Sequence, residues 1–367
     1  MRVVRFIVES AVKEYKRVSA LAVFAALAIG CGGGGSGGGA FGGSLFENYL
    51  AIADDGTGYL IEYEVSQGFL SSGPFTDLPP INDAAVYDGT LDFVASMKNE
   101  PTLLTAQYDG TSLVGPIQEF PIAGATTLGV VAFDGFHRDV YVIADSTTVV
   151  RFHVGTTGDL TGGTTVLSDL PLIRDLIVGV SGMYVVTDQR VFVYTLTGTG
   201  NPQLINILFA FDGVQSFKLS RGGFDEAAFL LTRRNRLRAF DVDFAGDLIP
   251  VNEVNLDWDL VERAKDIAPF SIDACLVATV DGEAILVHRD GTGLFHATLS
   301  AFLDEAGDMR SIEVDYLQER LLVTDGTGTV RGFLLQSDGE IGAVTADATV
   351  AIGVAVQTKL LSIEFVP

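Results

Sequence analysis

The chain has 367 residues, a formal net charge of −24, a hydrophobic share of 48% and a mean hydropathy of +0.35. That much apolar surface excludes a disordered chain, and that much negative charge excludes nucleic acid as a partner, since the two repel. With 42 glycines and no long helix-period segment, the chain reads as a leader followed by one large all-β domain.

Residues 1–30 read as a signal peptide. Arg2, Arg5, Lys13, Lys16 and Arg17 outweigh Glu9 and Glu14, so the leader is net +3 and the remainder −27. The apolar run VSALAVFAALAI (18–29) is too short to span a bilayer comfortably and has the length of a signal-peptide core. It ends in Leu27-Ala28-Ile29-Gly30-Cys31, which resembles the bacterial lipobox. The resemblance implies cleavage before Cys31, diacylglycerol and palmitate-type chains on that residue, and a membrane anchor made by the lipid. An ordinary secretory leader with a chance cysteine is the alternative. Gly32 follows Cys31, which by the same resemblance favours an outer-membrane lipoprotein, on its periplasmic or its surface side. Residues 31–43 then form the lipidated cysteine and a glycine-rich tether, because GGGGSGGGAFGG has nothing to pack with.

Residues 44–367 repeat one unit at intervals of about 45 residues. Its apolar strand recurs as YLAIAD from Tyr49, DFVASM from Asp92, VYVIAD from Val140, MYVVTD from Met183, AFLLTR from Ala228, CLVATV from Cys275 and RLLVTD from Arg320. Each copy leads through a turn into a second strand, as Asp325-Gly326 leads into VRGFLL from Val330. A further apolar run precedes each later copy, at 83–87, 128–133, 172–178, 214–219, 266–270 and 312–316. Trp258 to Ala264 is the one candidate for a helical turn.

Four short strands per unit and seven units predict a seven-bladed β-propeller of four-stranded antiparallel blades. The preceding runs are the innermost strands A, the copies are B, the second strands C, and the stretch after C is the outer strand D. Nothing upstream of Tyr49 supplies a full strand A, so the C-terminus must supply it and close the ring, leaving no free edge. The run 349–356 fits that role, with 359–366 (KLLSIEFV) left over as a segment that flanks or replaces the first strand B. An eight-bladed or open ring is the alternative.

The blade pattern, VYVIAD or MYVVTD followed by a turn and a VxVY-type strand, resembles the YVTN and lactonase-like seven-bladed propellers over residues 45–367. It does not resemble the tryptophan–aspartate repeat, since Trp258 is the only tryptophan. The resemblance implies either a cell-surface or envelope interaction module or a phosphogluconolactonase-like enzyme. The family's catalytic histidine, glutamate and arginines have no residue-by-residue match in this chain.

The remaining chemistry is sparse. Cys275 lies inside an apolar strand and reads as a buried small hydrophobe. His137, His153, His288 and His296 show no zinc spacing, and no metal or cofactor is expected. Asp54, Asp55, Asp145, Asp188, Asp281 and Asp325 occupy B–C turns. They either attract a cation or simply begin tight turns by bonding their own backbone. The turn Arg233-Arg234-Asn235-Arg236, with Arg238 behind it, is the exception; Arg233, Arg234 and Arg236 are candidate contacts for an anion or a partner. Arg174 and Asp175 interrupt an apolar run at the head of an inner strand and should face the channel. Lys218, Asp266 and Arg310 hold similar positions. A lactonase needs a base and cations to steady an oxyanion, and these five residues are the candidates.

Two functions follow. The first is a monomeric, non-catalytic propeller tethered at the outer membrane, holding an envelope protein partner or serving as a scaffold. The second is a periplasmic lactonase-like hydrolase of a sugar lactone.

Overall fold

In the computed structural model each repeat forms one four-stranded antiparallel sheet, and there are seven of them. The structure describes residues 46–363 apart from 54, 65–68, 75–77, 88–91, 109–112, 135–136, 156–158, 197–201, 223–224, 257–263, 304–307, 316–319, 337–340, 342–345, 347 and 352–360. The leader, Cys31, the tether, Asp54 and most of the candidate helical turn at Trp258 lie outside the described residues.

The inner strands A are Leu361–Ile363 in blade 1, then Ile81–Tyr87, Leu128–Asp134, Ile173–Val178, Val214–Gly222, Ala264–Ser271 and Met309–Asp315 in blades 2 to 7. The B strands are Phe46–Ile52, Asp92–Met97, Asp139–Ala144, Gly182–Thr187, Asp225–Thr232, Ala274–Thr279 and Arg320–Asp325. Within each sheet the order runs A-B-C-D. Blade 1 alone mixes the ends of the chain: Leu361–Ile363 pairs with Phe46–Ile52, Leu50 opposite Leu361. The outer strands of blades 7 and 1 pack together, so the blades follow one another round a closed ring.

The closure differs from the sequence expectation in one respect. Ala348–Ala351 is not the inner strand of blade 1. It pairs with Thr329–Leu334 and is the outer strand of blade 7. The leftover segment, through Leu361–Ile363, supplies the inner strand instead. Blade 7 needs a fourth strand before the ring can close, and 349–356 is the nearest apolar run after its strand C; residues 352–360 lie outside the described residues.

The core lies between blades rather than at one centre. Phe229 of blade 5 meets Phe295 of blade 6 edge-on, with centroids 5.5 Å apart. Tyr184 of blade 4 packs on Phe217 of blade 5. A B strand is covered on both sides by neighbouring blades. Its middle residues therefore read as apolar runs, and all six residues of Gly182–Thr187, Ala274–Thr279 and Arg320–Asp325 are buried. Cys275 is fully buried in one of them, and burial pushes its thiol pKa well up, so the reactive thiolate is suppressed. Blades 4 and 5 approach so closely that a Cβ on Gly182 would meet the Gly246 Cα at 3.1 Å, and the Tyr184 hydroxyl donates to the Gly246 carbonyl at 2.9 Å.

Candidate functional site at the channel mouth

The inner strands share an irregularity that makes the site. In blades 2, 4, 5, 6 and 7 the A–B pairing skips one residue near the start of strand A: Asn82, Arg174, Gln215, Lys265 and Arg310. Blade 3 skips two residues at the same place, between Leu128 and Val131. A β-bulge re-aims a side chain and frees it from the ladder. Each single skipped residue has a long polar side chain, preceded by an apolar residue and followed by Asp or Ser.

These side chains tie one blade to the next. Asn82 Nδ2 donates to the Leu128 carbonyl at 2.6 Å, Arg174 to the Val214 carbonyl at 3.1 Å, and Gln215 to the Lys265 carbonyl at 3.0 Å. The following residue does the same with its carboxylate. Asp83 accepts from the Val131 amide at 2.8 Å, and Asp266 from the Ile312 amide at 3.2 Å. Asp266 also accepts from Ser216 Oγ at 2.8 Å and from Ser311 Oγ and Lys218 Nζ at 3.4 Å each.

The inner strands of blades 4 to 7 enclose a cavity of about 700 Å³, a size suited to a small polar ligand. All five candidates, Arg174, Asp175, Lys218, Asp266 and Arg310, line it. Reading the sequence alone missed Gln215, Lys265, Asp308 and Glu313, which line it too. The lining therefore carries four cations and four carboxylates in a chain that is otherwise strongly acidic. No histidine is among the lining residues.

Lys218 sits 3.4 Å from Asp266, 3.3 Å from Glu313 and 3.3 Å from the Ile312 carbonyl. Burial works against its charge, but the Asp266 and Glu313 carboxylates outweigh it and hold the ammonium pKa above the ordinary lysine value. Lys218 is thus a fixed cation and cannot act as a base near neutral pH. With three acceptors around it, its donors are already engaged. Arg310 is looser, 41% exposed and 3.8 Å from Asp308.

At the rim, Arg174 and Arg233 converge on one oxygen of Asp188, at 3.0 and 2.7 Å. The remaining candidates turn away from the cavity: Arg234 pairs with Asp212 at 3.3 Å, and Arg236 joins Arg238 on Glu253. The aspartates of the B–C turns divide. Asp55 and Asp325 accept from their own turns, Asp55 from the Thr57 amide and Asp325 from Thr327 and Thr329. Asp145 binds Thr126 and Thr127 on the approach to blade 3's strand A, while Asp188 serves arginines. Among the described residues no three His, Cys, Asp or Glu side chains cluster as metal ligands would.

No family model matches the chain, and a search of curated proteins finds no match. Solved structures do match. A protein from Lactobacillus plantarum superposes with a TM-score of 0.68 at 17% identity, covering 87% of this chain and 100% of its own. A Bacteroides fragilis protein described as a 6-phosphogluconolactonase gives 0.64 at 11%, over 89% and 100%. The periplasmic gluconolactonase of Pseudomonas aeruginosa gives 0.65 at 12%, over 87% and 100%. At these identities the likeness is one of fold: the chain shares the seven-bladed propeller architecture of these structures.

Proposed function

We propose that the protein binds a small, hydroxylated sugar lactone at the channel mouth and hydrolyses it. The observation that carries this reading is the cavity itself, where four consecutive inner strands direct cations and carboxylates into one space of about 700 Å³. A passive hub has no need of such a lining. The lactonase-like fold and its gluconolactonase neighbours support the same choice.

In this reading Glu313 takes a proton from water, whose oxygen then bonds to the lactone carbonyl carbon. Arg310, a loosely paired cation on the same strand, steadies the oxyanion. The carbon–ring-oxygen bond breaks as that oxygen receives the proton. Lys218 holds the Glu313 carboxylate in place. Full-chain protein should open glucono-δ-lactone faster than buffer does. Glu313→Gln or Arg310→Gln should lower turnover about 100-fold, the scale of removing one stabilising group. A rate equal to spontaneous hydrolysis would defeat the proposal.

The location belongs to the same proposal: lipid on Cys31 tethers the propeller at the outer membrane. Cys31→Ser should move the protein from the membrane fraction to the soluble one. Unchanged fractionation would refute the tether. A protein-interaction role stands as a second reading, favoured by one surface feature outside the cavity.

A further inference from the structure

That feature lies on the outer rim between blades 4 and 5. Outer strands of a propeller have one unpaired edge and are usually polar there. Blade 3 obeys, with Thr161, Gly162, Gly163, Thr164 and Thr165 exposed in its strand Leu160–Leu167. Blade 4 does not. Its outer strand Gln203–Phe209 reads QLINILF, with Leu204 49%, Ile205 40% and Phe209 45% exposed, and Phe211 just beyond it 84% exposed.

The aromatic end of this strip is organised. Phe209 and Phe211 stack with centroids 5.9 Å apart and ring planes 15° apart. Arg190, opposite Phe209 in the sheet, lies 5.1 Å from its ring centroid. Among the described residues Arg190 makes no ion pair. Arg238 Nη1 reaches across from blade 5 to the Phe209 carbonyl at 2.9 Å. Arg234, 70% exposed, flanks the patch on Asp212. A protein of net charge −24 thus places three guanidinium groups around these two rings.

We propose that this rim docks an extended acidic peptide of a partner protein, an aromatic or aliphatic residue packing on Phe209 and Phe211 and its carboxylates meeting Arg190 and Arg234. The charge pattern selects that occupant. The rest of the protein repels acidic chains, and the Debye length of about 8 Å at physiological salt confines that repulsion, so attraction is local to the arginines. A β-bulge at Ile205 interrupts the outer strand, so side chains rather than strand addition carry the recognition.

The test is selection of a displayed random dodecapeptide library on the full-length protein. Acidic peptides with a hydrophobic anchor should be enriched. In fluorescence anisotropy the best labelled peptide should bind Phe209→Ser/Phe211→Ser at least about tenfold more weakly, near 1.4 kcal/mol. Arg190→Glu/Arg234→Glu should also weaken it, and a version of the peptide with lysine for its acidic residues should then regain affinity. All four positions are exposed, and unchanged circular dichroism checks the fold. Enrichment of neutral or basic peptides, no enrichment, or binding indifferent to both double variants would overturn the proposal. So would patch-dependent self-association by light scattering, or patch-dependent binding to phosphatidylglycerol vesicles.

Discussion

Two ionic clusters in this propeller use the same chemistry to different ends. In the B–C turn of blade 7, Asp325 is 3% exposed. One of its oxygens accepts from the Thr327 amide, the Thr327 hydroxyl and the Thr329 amide, and the other accepts from Arg331. Everything the carboxylate can bond lies within six residues. In the channel mouth, Lys218, Asp266 and Glu313 come from three different blades and stand around open space. The first cluster is closed upon itself and holds a turn. The second is drawn together by the ring and faces a ligand-sized cavity. An ionic group marks a functional site when its partners are distant in sequence and its environment leaves room for something else.

The comparison can be broken by mutating each cluster. Asp325→Ala leaves the half-buried Arg331 without its carboxylate partner, and should lower unfolding free energy by about 3 kcal/mol in urea titration. Lactone turnover per folded molecule should not change. Glu313→Gln should do the reverse, with turnover down about 100-fold and the urea midpoint nearly kept. If Asp325→Ala also abolished turnover in folded protein, the division between the clusters would fail.

Asp266→Asn lies between these cases. It weakens contacts to Lys218, Ser216, Ser311 and the Ile312 amide at once, so it should cost about 1–3 kcal/mol of stability. It should also reduce turnover, because Lys218, which holds Glu313, loses one of its two carboxylate partners.

The smallest effect is on pH dependence, with opposite signs for the two clusters. Burial would raise the Asp325 pKa, but Arg331, Thr327 and the Thr329 amide outweigh it and hold it below the usual value of 3.8. Its stabilisation is therefore complete above that value and lost as pH falls through the lower folded one. Lys218 is held above 10.5 in the fold, so its contribution is complete below that value and lost only as pH rises through the higher one. Urea midpoints across pH should show Asp325→Asn flattening the acid limb and Lys218→Met the alkaline limb. Both variants altering the same limb would contradict the assignments.

Much of this was legible in the sequence. A B strand buried on both faces is apolar through its middle, so seven similar runs declared seven blades, and their following turns declared the hairpins. The closing strand was harder to read. Ala348–Ala351 and Leu361–Ile363 are both short and apolar, and nothing local says which pairs with blade 7 and which with blade 1. The cavity was half legible. Arg174, Asp175, Lys218, Asp266 and Arg310 stood out as charges at the heads of apolar strands, and all five line it. Gln215 and Lys265 were missed because a bulge residue falls outside the alternation of its strand, and Glu313 because alternation loses its phase after the bulge at Arg310. A signal for the first two was nonetheless present. Ile81-Asn82-Asp83, Ile173-Arg174-Asp175, Val214-Gln215-Ser216, Ala264-Lys265-Asp266 and Met309-Arg310-Ser311 repeat one pattern, an apolar residue, a long hydrogen-bonding one, then Asp or Ser. The exposed rings of blade 4 were invisible for another reason. An outer strand and a buried one of the same composition cannot be told apart until the neighbouring blades are placed.

The most direct test of the central claim is the rate of glucono-δ-lactone opening by the full chain and by Glu313→Gln, each corrected for spontaneous hydrolysis. The charged channel mouth predicts a rate clearly above background for the first and about 100-fold lower for the second. Equal rates for the two proteins, or no rate above background for either, would contradict it.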